Sequence, residues 1–347
     1  MIIRKKHLTI LLTITCLLII AAIISVMTGP VFIHPLAIIK VWLSWLSGGI
    51  VPADTVNETS KIIIQNIRMP RVVMAMIVGM GLAASGAAMQ GLFRNPMAEP
   101  YVLGMSSGAA AGASLAIVLG IGTFLGYLAV PVMAFTGALT TIFIVYSLAR
   151  MDGKVPTETL LLSGIAVGFF LQAIVSFLKL IASMDALRDV ILWIMGSFAG
   201  TTWNDVYMVS IPISIGIMIL FWMSRDLNAL QFGEETAMHL GMNVEITKRI
   251  LLSAVAMITA LAVAVSGIIG FVGLIIPHIA RMLVGTDHRI QLPVATLAGG
   301  LFLVFTDTLA RTIGKPSEIP IGILTAAIGA PYFIYLLKRR KKAIGWW

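Results

Sequence analysis

Gly104-Met105-Ser106-Ser107-Gly108 has the Gly-x-Ser-x-Gly spacing of a nucleophile elbow, in which a strained strand-to-helix turn presents a serine hydroxyl for attack. Here both flanks are apolar and helical in pattern. Gly104, Gly108 and Gly112 repeat at four-residue spacing, which serves close helix approach rather than catalysis. An intramembrane serine protease would have to pair Ser106 or Ser107 with His278, the one histidine centred in an apolar run; a hydrogen bond to a neighbouring helix accounts for that histidine more simply. The five histidines are scattered and Cys16 is the single cysteine, so no metal site and no disulfide is expected. Gly314-Lys315-Pro316 lacks the glycine lead and the hydroxyl of a phosphate-binding loop. If ATP drives this protein, another chain binds it together with its magnesium, and no cofactor and no catalytic residue is assigned here.

The remaining polar residues are placed for contact rather than bond chemistry. Residues 225–249 carry Arg225, Asp226, Glu234, Glu235, Glu245, Lys248 and Arg249, and cannot lie in hydrocarbon. Ala237, Leu240 and Val244 nevertheless recur at helical spacing, and Gly233 and Gly241 divide the stretch into short helical pieces. Two adjacent glutamates make lipid headgroups a poor partner, so a soluble protein is expected to push on it. Arg68, Arg71 and Arg311 form a second group, whose rigid guanidinium forks suit partner carboxylates; snorkelling at helix ends is the alternative. Asp307 lies four residues before Arg311, and Arg94 and Glu99 flank Asn95-Pro96-Met97. No carboxylate is clearly placed at mid-membrane, which argues against the other class considered, an ion-coupled secondary transporter.

The elements that must position these residues are membrane spans. The chain has 347 residues, 59% apolar and only 11% charged, against about 25% charged in a soluble domain. Its apolar runs match the roughly 20 residues a bilayer core requires. Ten spans are predicted, at 8–28, 72–92, 102–121, 124–149, 158–181, 206–223, 250–268, 270–285, 292–308 and 319–337. The first follows Arg4, Lys5 and Lys6 like a signal peptide, but it is long for one and no small-x-small cleavage site follows, so it is read as a span. With the N-terminus inside, sixteen Lys and Arg fall inside and eight outside, which favours both termini in the cytoplasm with 225–249 on that side. Segment 29–61 is then outside, with an interfacial helix carrying Trp42 and Trp45 after Pro30 and Pro35; segment 182–204 holds a short re-entrant or surface helix closed by Gly196 and Gly200. The basic residues are scattered between spans, so the +9 charge is no nucleic-acid signal, and Lys338–Lys342 reads as an inside anchor. The fold expected is all-α and polytopic, one transmembrane domain over 1–347 with 225–249 as a loop within it.

Shifting the chain by 181 positions matches Arg68/Arg249, Ala75/Ala256, Met76/Met257, Ile77/Ile258, Ala83/Ala264, Ser85/Ser266, Gly86/Gly267, Pro96/Pro277 and Gly104/Gly285. This pairs span two with span seven in opposite directions, the layout of an inverted repeat of spans 2–5 and 7–10, with shared helix-packing habits as the alternative; both copies are expected to place Ser-Gly inside a helix and Pro near its end.

Arg68-Met-Pro-Arg71, Ser85-Gly-Ala-Ala-Met-Gln90, Asn95-Pro-Met-Ala-Glu-Pro100 and Leu103-Gly-Met-Ser-Ser-Gly108 together resemble the FecCD-type permeases of binding-protein-dependent ABC importers. So do Gly270-Phe-Val-Gly-Leu-Ile-Ile-Pro-His-Ile-Ala-Arg281, Thr286-Asp-His-Arg289, Asp307-Thr-Leu-Ala-Arg311 and 319–331. The resemblance implies a multi-pass protein of the prokaryotic plasma (inner) membrane, working as a dimer of permeases, either two copies or a paralogue pair. Two ATPase subunits would sit inside and a substrate-binding protein outside. It implies an ATPase-coupling loop at Gly233, Glu234, Glu235, Thr236, His239, Leu240 and Gly241. Binding-protein docking would fall at Arg68, Arg71 and Arg311, and a cytoplasmic gate at Asn95, Met97, Thr157 and Glu158. Glu158 departs from the small hydroxyl expected at that gate. The cargo implied is a metal chelate, with iron-siderophore or other ferric complexes first and cobamide or haem next.

Overall fold

The computed structural model describes residues 5–29, 33–46, 56–122, 126–151, 153–314 and 317–344. Arg4, Pro30 and Lys315 lie outside the described residues, as do the side chains of Trp45 and of residues 339–342. The chain opens with α1 (Lys5–Met27), α2 (Pro35–Leu46) and α3 (Glu58–Leu92). Next come α4 (Met105–Val118), α5 (Ala129–Ala149), α6 (Thr157–Ile181), α7 (Met184–Ile194) and α8 (Trp203–Trp222). Two short helices, α9 (Ser224–Leu230) and α10 (Glu234–His239), precede α11 (Val244–Ser266), α12 (Val272–Val284), α13 (His288–Ile313) and α14 (Ile321–Ile344).

Each predicted span falls on one of these helices. Seven are long and apolar enough to cross a membrane: α1, α3, α5, α6, α8, α11 and α13. The other three are shorter than expected, α4 with 14 residues, α12 with 13 and the apolar part of α14 over Ile321–Leu336. The backbone explains the shortening. The chain enters α4 through a 3-10 turn at Pro100–Leu103 and a left-handed Gly104 (φ 78°), and α12 through a left-handed Phe271 (φ 69°). Non-helical backbone at this depth is tolerable only when protein covers it, and Leu103, Ile269 and Val272 are all buried.

Helix α3 is the centre. It runs 35 residues from Glu58 through a π turn at Ile63–Arg68, and its Met69–Leu92 section is almost wholly buried. Small residues let backbones touch there, which replaces the hydrophobic drive that lipid cannot supply. A Cβ on Gly79 would run into the carbonyl of Gly299 in α13, and one on Gly86 into the carbonyl of Gly273 in α12. By contrast α1 buries one stripe, Ile14, Leu18, Ala22, Ser25 and Val26, toward α13 and leaves Leu12, Ile19 and Ile20 facing outward. That three-to-four spacing is one face of a helix.

Five helix starts are capped by side chains. Asn57, Ser183, Thr202, Asn243 and Asp287 each accept a hydrogen bond from the first turn that follows. The helix in segment 182–204 therefore begins at Met184, earlier than its apolar half suggested, and ends before Gly196 (φ 71°).

Helices α3 and α11 run antiparallel: Gly81 meets Ile258 at mid-length, while the residue after α3's last turns, Arg94, lies beside Gly233, next to the start of α11's ion pair. The 181-residue shift itself does not superpose like structure on like. Ser85-Gly86 lies inside α3, whereas Ser266 ends α11 and Gly267 caps it. Pro96 sits in the turn after α3, whereas Pro277 is inside α12.

Candidate functional site

The candidate side chains gather at the two ends of the bundle. At one end Arg68, Arg71 and Arg311 converge. Arg68, last residue of the π turn, donates from Nη1 to the carbonyls of Val26 (2.7 Å) and Met27 (3.0 Å). These are carbonyls left without helical partners at the C-terminus of α1, where the helix dipole also favours a cation. Arg311 donates from Nη2 to Ser25 Oγ (2.6 Å) and the Ser25 carbonyl (3.1 Å), and from Nη1 to the Thr28 carbonyl (3.1 Å). Between them Asp307, fully buried, accepts from Arg71 Nε (2.9 Å) and Arg311 Nε (3.0 Å) with its two oxygens. Arg71 also donates from Nη1 to both oxygens of Glu318, at 2.8 and 3.1 Å.

The sequence placed these three arginines as an outward docking group. The structure turns them inward, with relative exposures of only 4, 7 and 4%. Helices α3 and α13 extend beyond the predicted spans, so these residues belong to the helical wall. There an unpartnered guanidinium is too costly, and the chain itself supplies the partners. Glu318, which the sequence did not single out, has 38% of its side chain exposed and is the reachable member of the cluster.

At the opposite end, α9 and α10 are set off by two left-handed glycines, Gly233 (φ 108°) and Gly241 (φ 85°), as their spacing predicted. In α10 and its turn Ala237 is buried, while Glu235, Thr236, Met238, His239 and Leu240 face outward, as does Phe232 just before. A groove of about 810 Å³ runs beside them, lined by Arg94, Lys154, Phe232, Glu235, Met238 and Glu245 among others.

Side chains missed by the sequence reading fasten these helices down. Asn228 of α9 donates to Asp287 Oδ1 (2.7 Å) and accepts from the His288 backbone N–H (2.8 Å) at the start of α13. Gln231 adds a bond to the Thr286 carbonyl (2.9 Å). Partial burial would raise the Asp287 carboxyl, but the Asn228 amide, the Arg289 N–H and the neighbouring positive charge outweigh it and hold the carboxyl below its ordinary range. Lys248, buried in α11, donates to Glu234 Oε2 (2.6 Å) and to the Val155 carbonyl (3.1 Å). The Thr286-Asp-His-Arg289 run and the lysine five residues past an Asn N-cap were the available signals.

The four expected gate residues sit in two places, Asn95 and Met97 in the turn after α3 and Thr157 and Glu158 in the first turn of α6. Asn95 Oδ1 accepts from the Met97 N–H (2.9 Å), closing a turn after the left-handed Arg94 (φ 50°), and Met97 is 46% exposed. Thr157 opens α6, and Glu158 is exposed in its first turn, where a carboxylate suits the helix dipole. Arg94 and Lys154, adjoining these turns, line the same groove as α10. Glu99, half-buried, has no side-chain hydrogen bond or ion pair among the described residues, and burial pushes its carboxyl up to about 7. At the supposed nucleophile elbow, Gly108 packs against Gly137 and Thr141 of α5, a helix contact rather than a strand-to-helix turn.

Among the described residues, a helical bundle with apolar spans, backbone-to-backbone glycine contacts and polar clusters at its two ends defines a multi-pass membrane protein. The FecCD transport family matches residues 17–339, and the chain belongs to that family of ABC importer permeases. It is 48% identical over 286 residues to the cobalamin import system permease BtuC of Halobacterium salinarum, covering 82% of this chain and 76% of that one. It is 44% identical to the hemin transport system permease HmuU of Yersinia pestis, covering 80% of this chain and 83% of that one. The vitamin B12 import system permease BtuC of Salmonella arizonae shares 35% over 96% of this chain and 95% of its own. Among solved structures, a metal-chelate type ABC transporter in an inward-facing conformation superposes with TM-score 0.82 and 33% identity, covering 95% of this chain and 99% of that chain.

Proposed function

We propose that this chain is the permease subunit of a binding-protein-dependent importer that moves a bulky metal chelate of the corrinoid or haem class. The observation that carries the reading is the whole-length family match together with relatives named for cobalamin, vitamin B12 and hemin. The iron-siderophore cargo placed first by the sequence gives way to these two on the same ground. In this reading the chain pairs with a second permease and takes no ATP itself. ATPase subunits on the cytoplasmic side act on α9 and α10, whose apolar Phe232, Met238 and Leu240 stand exposed beside Glu235. Asn95, Met97, Thr157 and Glu158 form the cytoplasmic gate, and the nearby Arg94 and Lys154 line the groove that α10 also lines.

Docking of the binding protein falls at the arginine end, in altered form. Arg68 and Arg311 build the seat by holding α1 to α3 and α13, and Arg71 is the group a partner carboxylate reaches by displacing Glu318.

The test is uptake into proteoliposomes holding the chain, the ATPase subunits and the binding protein encoded beside it, with labelled cyanocobalamin and haemin offered separately. ATP-dependent accumulation of one of them supports the proposal. Accumulation by the chain alone on a proton or sodium gradient would falsify it in favour of a secondary transporter.

A further inference from the structure

Lys248 lies at a three-way junction. Its side chain is 5% exposed, in the second turn of α11, and its ammonium meets Glu234 Oε2 at 2.6 Å and Glu245 Oε1 at 3.7 Å. It also donates to the Val155 carbonyl at 3.1 Å. Each contact lies on a different structural piece. Glu234 is in the first turn of α10, and Glu245 is on α11 itself. Val155 belongs to the loop that leads through Pro156 into α6.

The pieces it joins are unequal in stiffness. Helix α10 has only six residues and is bounded by Gly233 and Gly241, both at positive φ, so on its own it is free to pivot. The loop before α6 is short and closed: Met151 and Lys154 exchange two backbone hydrogen bonds of 2.9 Å, and Thr159 reaches back to the Ala149 carbonyl. A pull on the buried Val155 carbonyl therefore moves the first turn of α6, where Thr157 and Glu158 sit. An ammonium with three donors is the group that can hold a carboxylate and a carbonyl at once, and with the lysine side chain only 5% exposed little solvent reaches it to compete.

We infer that Lys248 is a positioning residue that makes α10 and the start of α6 move as one body, carrying a displacement of α10 directly to the gate. This rests on the reading above, in which α10 meets the ATPase and the start of α6 is part of the gate. Without the lysine, α10 still meets its partner, but its movement is taken up at the two glycines.

The experiment uses the assembled complex with ATPase subunits and binding protein in liposomes. Transport per ATP hydrolysed is measured with whichever of cyanocobalamin or haemin the wild-type complex accumulates. K248M should lower that ratio about tenfold, with ATP hydrolysis falling far less, and K248R, which keeps charge and donors, should restore most of it. A second reading needs no cargo. On a C16S background, spin labels at Met238→Cys and Lys154→Cys should keep one separation in nucleotide-free and ATP-trapped complexes. With K248M the separation should differ between the two states. Should K248M fail to assemble, K248Q, which keeps a donor for Val155 but no charge, takes its place in both measurements. Wild-type transport per ATP and an invariant label separation in these variants would overturn the inference. A wild-type complex without ATP-driven uptake would instead overturn the proposed function on which it rests.

Discussion

Asp307→Asn isolates the arginine cluster. Asp307 is fully buried and each of its oxygens accepts from a different guanidinium, Arg71 at 2.9 Å and Arg311 at 3.0 Å. Two unit charges about 4 Å apart attract by about 4 kcal/mol at an effective dielectric of about 20. Asparagine keeps the shape but loses the charge, and its NH2 faces a guanidinium donor in place of an acceptor. Part of the loss is offset, because Arg71 keeps Glu318 and Arg311 keeps Ser25 and Thr28. Leaving a buried charge without its partner costs about 3–5 kcal/mol, and D307N is expected in that range. The assay is unfolding of the purified protein in mixed micelles titrated with SDS, read by tryptophan fluorescence. Removing both partners should cost less than the sum of the single losses, so D307N with R311M should show a coupling of about 2 kcal/mol. A D307N protein within about 1 kcal/mol of wild type, or strictly additive losses, refutes the claim that this pair is dry and mutually dependent.

Further outcomes follow from other sites. Gly79→Leu should abolish folded protein, read as loss of the monodisperse peak on size exclusion, because any side chain there meets the Gly299 carbonyl. Glu318→Gln should release Arg71 and tighten binding-protein docking, by about tenfold at most, in a surface-binding measurement; weaker docking would mean Glu318 is itself a contact. Glu99 has a folded-state value of about 7, above the ordinary carboxylate near 4.3. The folded protein therefore holds a proton that the unfolded chain gives up. The Glu99 contribution to stability, about 4 kcal/mol at most, is full below pH ~4.3, declines as pH rises toward 7 and is lost above it. Unfolding of wild type at pH 5 and pH 8 should show that decline, and E99Q should not.

The spans were legible because lipid imposes length and apolarity residue by residue, as in α1, α6 and α8. The two glycine-bounded helices of 225–249 were legible too, since Gly233 and Gly241 stand where the apolar spacing breaks. What escaped was whatever depends on a partner distant in the chain. Arg71 and Asp307 are 236 residues apart, and nothing local announces that they share a bond. Without that bond, an arginine near a predicted helix end looks available to a visitor. A double charge swap at Arg68 and Arg311 would therefore probe packing before it probed docking. Lys248 was misread for a related reason: it was counted in a loop, whereas Asn243 starts a helix before it and buries it. The 181-residue register of the repeat fared worst, since Ser85-Gly86 lies inside α3 whereas Ser266 and Gly267 close α11.

The bare contact of α3 on α13 at Gly79 and Gly299 has a mechanical meaning. Main chain against main chain leaves no rotamer to adjust and no gap to close, so the joint behaves as a weld. Together with α1, tied on by Arg68 and Arg311, these helices form a keel through the subunit. Any flexing is expected at other joints than this one, since α6 buries only about a fifth of its apolar stretch where α3 buries nearly four fifths.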